Sequence, residues 1–310
     1  GETFMTMLRL LLVAVLACLL IQSAAAQDDE PQEKGKSMPL QFARVQRNSQ
    51  GVPVALETAI VRYVRSDDQG TVEVDLVGVI HVGDRAYYEK LNEELKQYDV
   101  VLYELVAPQG TRVPRGGARP FNNPITLLHF ALKSALKLDL QTERIDYTRD
   151  NFVHADLSPQ QLLEAMRDRG HDPLSFFLSV LFDLFRRSQA LKDKPQAGRD
   201  LDPMEILNLL SDPEAPLKMK RFMAEQMAQT GTDTLGPTLD ALLIEDRNAA
   251  CLKVLKSELA KGRKRIAIFY GAAHMPDFDR RLTSAEFGME RKETRWLTAW
   301  DLSDKKNSDK

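Results

Sequence analysis

Residues 72–103 read VEVDLVGVIHVGDRAYYEKLNEELKQYDVVLY, and their pattern decides the fold class. Val72 to Val77 alternates apolar and charged side chains with the period of a strand. Gly78-Val79-Ile80-His81-Val82-Gly83-Asp84 follows at its end. Arg85 to about Gln97 then carries Tyr88, Leu91 and Leu95 at the spacing of one helix face. Val100-Val101-Leu102-Tyr103 is a second apolar strand. Strand, helix, strand in this order predicts a βαβ unit, with a parallel strand pair and a right-handed crossover.

Upstream, Ala59 to Val64 is β-rich, and Asp67-Asp68-Gln69-Gly70 supplies the turn of a hairpin with the 72–77 strand. Downstream, the chain from about Pro124 to Lys261 reads as helical. Ser158-Pro159-Gln160-Gln161 is a capping box with proline at the first helical position, opening a helix that Gly170 ends. Asp202-Pro203 opens another, and Thr238 to about Leu259 makes a third. Leu174 to Phe185, with Phe176, Phe177, Phe182 and Phe185, reads as a buried core helix, a mobile lid or partner-binding helix being the rarer alternative. Strand patterns return at Arg265–Tyr270 and Thr294–Trp300. The expected fold is α/β: a central mixed β-sheet with flanking helices and a large helical insertion, about 124–261, between the two Gly-x-x-His strands.

The ends carry different signals. Leu10 to Ile21 is an apolar run behind Arg9, and Ser23-Ala24-Ala25-Ala26 provides small side chains for cleavage. Residues 1–26 are therefore expected to be a signal peptide, since a spanning helix needs about 20 apolar residues. An uncleaved anchor or a buried helix is the plainer alternative. Cys18 invites a lipoprotein reading, but the residues before it match that pattern poorly and apolar residues follow it. Residues 27–38 are expected to be a disordered linker, 39–302 a single domain and 303–310 a disordered tail. The expected location is exported, periplasmic or secreted, with no stable membrane span after cleavage. Cys251 would be the only cysteine left, so no internal disulfide is expected, and its place on an apolar helix face marks an inert thiol. The formal net charge of −3 gives no electrostatic footprint for nucleic acid.

Two sites look alike. Gly78-Val79-Ile80-His81-Val82-Gly83-Asp84 and Gly271-Ala272-Ala273-His274-Met275-Pro276-Asp277 both read Gly-x-x-His-x-x-Asp, and both close an apolar strand. Ligands in open α/β sheets bind beyond the carboxyl ends of the strands. Gly78 and Gly271 allow a sharp turn or a close approach to a ligand there. Glu104 directly follows the 100–103 strand. If the three strands are neighbours, His81, Glu104 and His274 share one mouth. Two imidazoles and a carboxylate suit Zn²⁺, Mn²⁺ or Co²⁺ with an open position for water. A metal there lowers the pKa of bound water toward neutrality. Taken singly, each histidine is more often a satisfied structural residue, and Glu104 a surface carboxylate. Asp84 and Asp277 read first as turn or capping residues and second as support for the histidines. His129, His154 and His171 lie in the helical middle and are assigned no chemistry. No P-loop, dinucleotide fingerprint, His-Glu-x-x-His pair or Gly-x-Ser-x-Gly elbow occurs.

The first Gly-x-x-His turn, the run Tyr98 to Glu104, the helical Glu245-Asp246-Arg247-Asn248 and Gly271-Ala272-Ala273-His274 together resemble the TraB/PrgY/GumN family, which includes Tiki-type metal-dependent proteases. The likeness runs from about Val54 to Trp300 and is one of motifs. It implies an α/β core with a helical insertion, and a cleft lined by His81, Glu104, Arg247 and His274. Without it, Arg247 reads as a solvated or salt-bridged arginine; with it, as a residue that steadies Glu104 or stabilises an oxyanion. More distant relatives include an erythromycin-esterase-like group and haem-binding lipoproteins. The family often has threonine after the first glycine, where this chain has Val79.

The expected function is a metal-dependent hydrolase acting on peptide or amide bonds of a peptide or small-molecule substrate. His81 and His274 are the expected metal ligands, Glu104 a ligand or general base, and Arg247 the substrate or oxyanion contact. The alternative is a non-enzymatic exported binder of haem, metal or a signalling peptide. A metal-independent esterase using His and Glu as acid and base is the third reading.

Overall fold

The computed structural model describes residues 41–67, 70–108, 110–111, 113–117, 132–169, 214–229 and 244–304. The expected leader, linker, Leu174–Phe185 helix, Asp202-Pro203 helix start and Gly170 stop lie outside the described residues, as does most of the 303–310 tail.

The hairpin is present. Strand β2 (Pro53–Asp67) pairs antiparallel with β3 (Gly70–Val79), from Ile60 opposite Val77 to Asp67 opposite Gly70. Gly70 has φ +106°, a conformation L side chains rarely adopt. The start of β2 pairs with β1 (Ala43–Arg47), a short strand the sequence pattern did not single out. The opposite edge of β2 pairs antiparallel with β9 (Glu290–Asp301).

Beyond β3 the sheet turns parallel. The helix α1 (Arg85–Glu94) runs on through one 3-10 turn, Leu95–Gln97, before β5 (Val100–Tyr103). The strand order β1-β2-β3-β8-β5-β7, with β7 at Phe152–His154, places β8 (Arg265–Gly271) between β3 and β5. This corrects the expected parallel pair: both strands run parallel to β8, and they do not touch each other. Local pattern reports that a strand is buried on both faces, not which strand sits beside it.

A second correction concerns the stretch expected to be helical throughout. Phe152–His154 forms β7, which pairs parallel with β5 at the sheet edge. Asp139–Leu140 forms β6, paired with β4 (Val82–Gly83) in a separate two-stranded sheet. These strands are three and two residues long, too short for a period to register. Helices occupy other parts of that stretch: α2 (Gln141–Arg144), α3 (Pro159–Asp168), α4 (Ala215–Gln229) and α5 (Asp246–Ala260). Ser158 caps α3 by accepting from the Gln161 N–H, the Gln161 side chain accepts in return from the Ser158 N–H, and Pro159 opens the helix. After β8 a single 3-10 turn, Ala272–His274, leads into α6 (Met275–Leu282).

The parallel strands are apolar on both faces because helices cover both. Ala267 and Phe269 of β8 join Val101 and Tyr103 of β5 in one cluster, under Tyr87, Tyr88 and Leu91 of α1 and Leu95 of the turn after it. Ile266, Ile268 and Tyr270 join Val100 and Leu102 in the other, under Cys251, Leu252 and Leu255 of α5 and Met275, Phe278 and Leu282 of α6. Helices on both faces explain why these strands read as continuous apolar runs. Among the described residues no helix is long and apolar enough to cross a membrane.

Candidate functional site

The register of the parallel strands determines what their ends present. Val79 lies opposite Gly271, Tyr103 opposite Phe269 and Tyr103 opposite His154. Four strand ends therefore reach one edge, and the residues just past them are His81, His274, Glu104 and Asp156. Arg247 enters over them from the first turn of α5.

Glu104 sits at the centre, its side chain 12% exposed. Its Oε2 accepts the Gly271 N–H at 2.7 Å, and its Oε1 accepts Arg247 NH2 at 2.7 Å. His274 Nε2 stands 3.5 Å from the same Oε1. Burial acts to raise the Glu104 pKa, but His274, Arg247 and His81 around it hold the carboxyl well below the ordinary range. Glu104 is thus an ionised carboxylate at neutral pH, suited to ligating or orienting more than to taking up a proton.

Arg247 is held in turn by Asp156. Its Nε donates to Oδ1 at 3.0 Å and NH2 to Oδ2 at 2.6 Å, a bidentate pair with a fully buried carboxylate. Arg247 NH1 lies 3.4 Å from His274 Nε2. The guanidinium is thereby committed to Glu104, Asp156 and His274, which favours the steadying role over that of an open oxyanion contact.

The two imidazoles are held differently. His274 is 5% exposed, and its ring meets Tyr270 edge-on with centroids 5.2 Å apart. Its Nδ1 is 2.7 Å from Asn248 Oδ1, and its carbonyl accepts from Asn248 Nδ2 at 3.1 Å. His81 is exposed, with Nδ1 2.8 Å from Gln141 Oε1. Gln141 Nε2 donates to Tyr147 OH at 2.8 Å, and the Gln141 N–H donates to the His81 carbonyl at 2.9 Å.

The two glycines serve different ends. A β-carbon on Gly271 would stand 3.3 Å from Glu104 Oε2, 3.6 Å from His81 Nε2 and 3.7 Å from His274 Cδ2. Only hydrogen there keeps that volume open, so Gly271 forms the floor of the cleft. A β-carbon on Gly78 would instead stand 3.3 Å from the Ala59 carbonyl oxygen, 3.5 Å from Met275 Cγ and 3.7 Å from Ala272 Cα. Gly78 lets the second turn pack closely on β3 and adds no surface to the cleft.

The cradle offers donors of the kind a divalent metal takes. Two imidazoles and an ionised carboxylate border the point a Gly271 β-carbon would fill, and these donor types suit Mn²⁺, Co²⁺ or Zn²⁺. Among the described residues no group of three or more His, Cys, Asp or Glu side chains already stands at metal-holding separations. The chemistry of the donors fits, and their spacing would have to tighten.

Asp156, Asn248, Gln141 and Tyr147 belong to this cluster and were given no role from sequence. Asp156 had a usable signal, since it follows Phe152–Ala155 much as Glu104 follows Val100–Tyr103, but the strand is too short to announce itself. Cys251 lies behind the site, fully buried, and burial pushes its thiol pKa up, as expected of an inert cysteine. His154 Nε2 is hydrogen-bonded to the Leu105 carbonyl, which fixes the loop after Glu104. Comparison of the chain with protein-family models, curated proteins and solved structures returns no match.

Proposed function

We propose that the chain is an exported hydrolase that cleaves acyl bonds, peptide-like ones first, in the cleft floored by Gly271. One observation carries this reading: two oriented imidazoles and an ionised carboxylate meet at the carboxyl ends of adjacent parallel strands. The motif-level likeness to the TraB/PrgY/GumN family points the same way. His81 Nε2, His274 Nε2 and Glu104 would hold a divalent metal, Mn²⁺, Co²⁺ or Zn²⁺. When bound, it would polarise the scissile carbonyl and make a water more acidic.

The chain's own residues do the rest. Arg247 and the Gly271 N–H fix both oxygens of Glu104, so the carboxylate does not rotate as substrate enters. Asp156 keeps Arg247 in place. Only in a metal-independent reaction, where His81 is not a ligand, would its exposed ring take a proton from an attacking water and return it to the leaving amine or alcohol. Closed contacts around His274 and Tyr270 keep bulk water from the floor.

Elemental analysis of the purified protein, beside His81→Ala and His274→Ala, tests the metal. Near-stoichiometric metal in the wild type that both variants lose is the expected result. Turnover of a peptide and ester panel, with and without added metal, tests the hydrolase. A second reading has its own observation: Arg247 already supplies a cation to Glu104 and lies 3.4 Å from His274 Nε2, which favours metal-independent hydrolysis by His and Glu. Turnover that survives a chelator selects it. No turnover with any panel member, together with a Soret shift on mixing with haem, would instead select the binding-protein alternative.

A further inference from the structure

Asn248 is fully buried at the start of α5 and has two kinds of partner. Its Nδ2 faces the His274 carbonyl at 3.1 Å and Asp277 Oδ2 at 2.9 Å. Both of those groups are acceptors in the folded site, so the amide cannot be turned over: nitrogen must face them, and Oδ1 must face His274 Nδ1. An amide oxygen only accepts, so Nδ1 carries the hydrogen. The other ring nitrogen does not decide by itself, since Nε2 lies 3.4 Å from Arg247 NH1, a donor, and 3.5 Å from Glu104 Oε1, an acceptor; the Asn248 contact at Nδ1 decides. Asp277 is itself anchored by Arg281 Nε at 2.7 Å and by Arg280.

We infer that Asn248, oriented by Asp277, is a positioning residue that fixes the neutral His274 ring in the Nδ1–H tautomer and so turns an unprotonated Nε2 toward the cleft. The third element of the second Gly-x-x-His-x-x-Asp motif thus acts on the second through a residue of another helix. The inference rests on the hydrolase reading only for what Nε2 then does, which is to ligate a metal or accept a proton; the tautomer itself is independent of any reaction. A neutral imidazole in solution exchanges between tautomers, and a buried amide that can only accept removes one of them.

The test is a long-range proton–nitrogen correlation spectrum of the full chain with nitrogen-15-labelled histidine, without substrate and after chelator treatment, at a pH where the rings are neutral. His274→Gln assigns the signal. The expected pattern for His274 is a protonated Nδ1 and an unprotonated Nε2. His154 is the internal contrast, because its Nε2 meets a carbonyl oxygen and must carry the hydrogen there. Asn248→Leu should abolish the His274 pattern, giving Nε2–H or an exchange average, while His154 is unchanged. An Nε2–H or averaged wild-type spectrum overturns the inference, and so does a Leu variant with the wild-type pattern. Should the Leu variant not fold, the wild-type spectrum alone decides. None of these outcomes depends on whether a substrate is ever found.

Discussion

The two Gly-x-x-His-x-x-Asp turns share a pattern but are buried and braced differently. The first is held by its backbone. Tyr87 OH donates to the Gly78 carbonyl at 3.3 Å, Tyr88 OH to that of Ile80 at 2.9 Å, the Gln141 N–H to that of His81 at 2.9 Å, and Trp300 Nε1 to that of Val82 at 2.7 Å. The His81 ring is exposed, though its Nδ1 is hydrogen-bonded to Gln141 Oε1 at 2.8 Å. The second turn is held through its side chains: Asn248 grips His274 at both ring and carbonyl, and the ring is buried. The aspartates diverge in the same way. Asp84 faces β9, accepting the Asp301 N–H and a bond from Lys220, whereas Asp277 faces the residue that orients its own histidine. A repeated motif therefore gives one firm imidazole and one that meets solvent, a division suited to a site with a fixed floor and an accessible rim.

The largest effect should come from breaking the support of the second turn. Asp156→Ala leaves the Arg247 guanidinium buried beside a lost partner, and removing one member of a buried pair costs about 3–5 kcal/mol. Urea unfolding should show that loss; an unchanged midpoint would mean that Arg247 does not depend on Asp156. Next, Gly78→Ala should destabilise by about 1–3 kcal/mol, because its methyl meets the rigid Ala59 carbonyl. Gly271→Ala should cost less stability, its neighbours being side-chain ends, yet remove metal binding or turnover by filling the cradle. If both alanines behave alike in unfolding and binding assays, the two glycines do not differ as described.

A smaller effect is expected at the first turn. Tyr88→Phe removes one hydrogen bond to a buried carbonyl, about 1–1.5 kcal/mol, and should speed amide hydrogen exchange near His81 while leaving residues 271–275 protected. Equal loosening of both turns would break the contrast. The smallest effect lies at the other end of the sheet, where the Asp99 carboxylate accepts the Lys264 and Arg265 N–H groups and its pKa is lowered by them. A depressed carboxylate stabilises above its unfolded pKa of about 3.9 and loses that contribution as pH falls through the folded value. Asp99→Asn should therefore be slightly less stable than wild type at neutral pH, with the gap closing in acid. A gap that widens in acid would contradict the assignment.

The paired glycine-histidine turns, the hairpin and the 100–103 strand were legible because each rests on a local period or a run of one chemistry. The seat of β8 between β3 and β5 was not, since an apolar run carries no address for its neighbour. β7 was hidden by length, and with it Asp156. Asn248 and Gln141 were hidden for a different reason: a carboxamide's role is set by the groups it meets, and here those groups lie 26 and 60 residues away in the chain. Arg247 stood out only through the family likeness, because an arginine at a helix start is otherwise unremarkable.

The place of β8 has a consequence for how the molecule is made. It is flanked by strands synthesised far earlier, yet residues 265–271 leave the ribosome after most of the chain. Until they emerge, β3 and β5 have a vacant slot between them, and neither the Glu104 contact to Gly271 nor the His274 ring exists. A nascent chain cut short before this strand would hold His81, Glu104 and Arg247 but lack Gly271 and His274, and with them the Trp300 contact to the first turn. The candidate site is therefore complete only once the last strands of the polypeptide have been made.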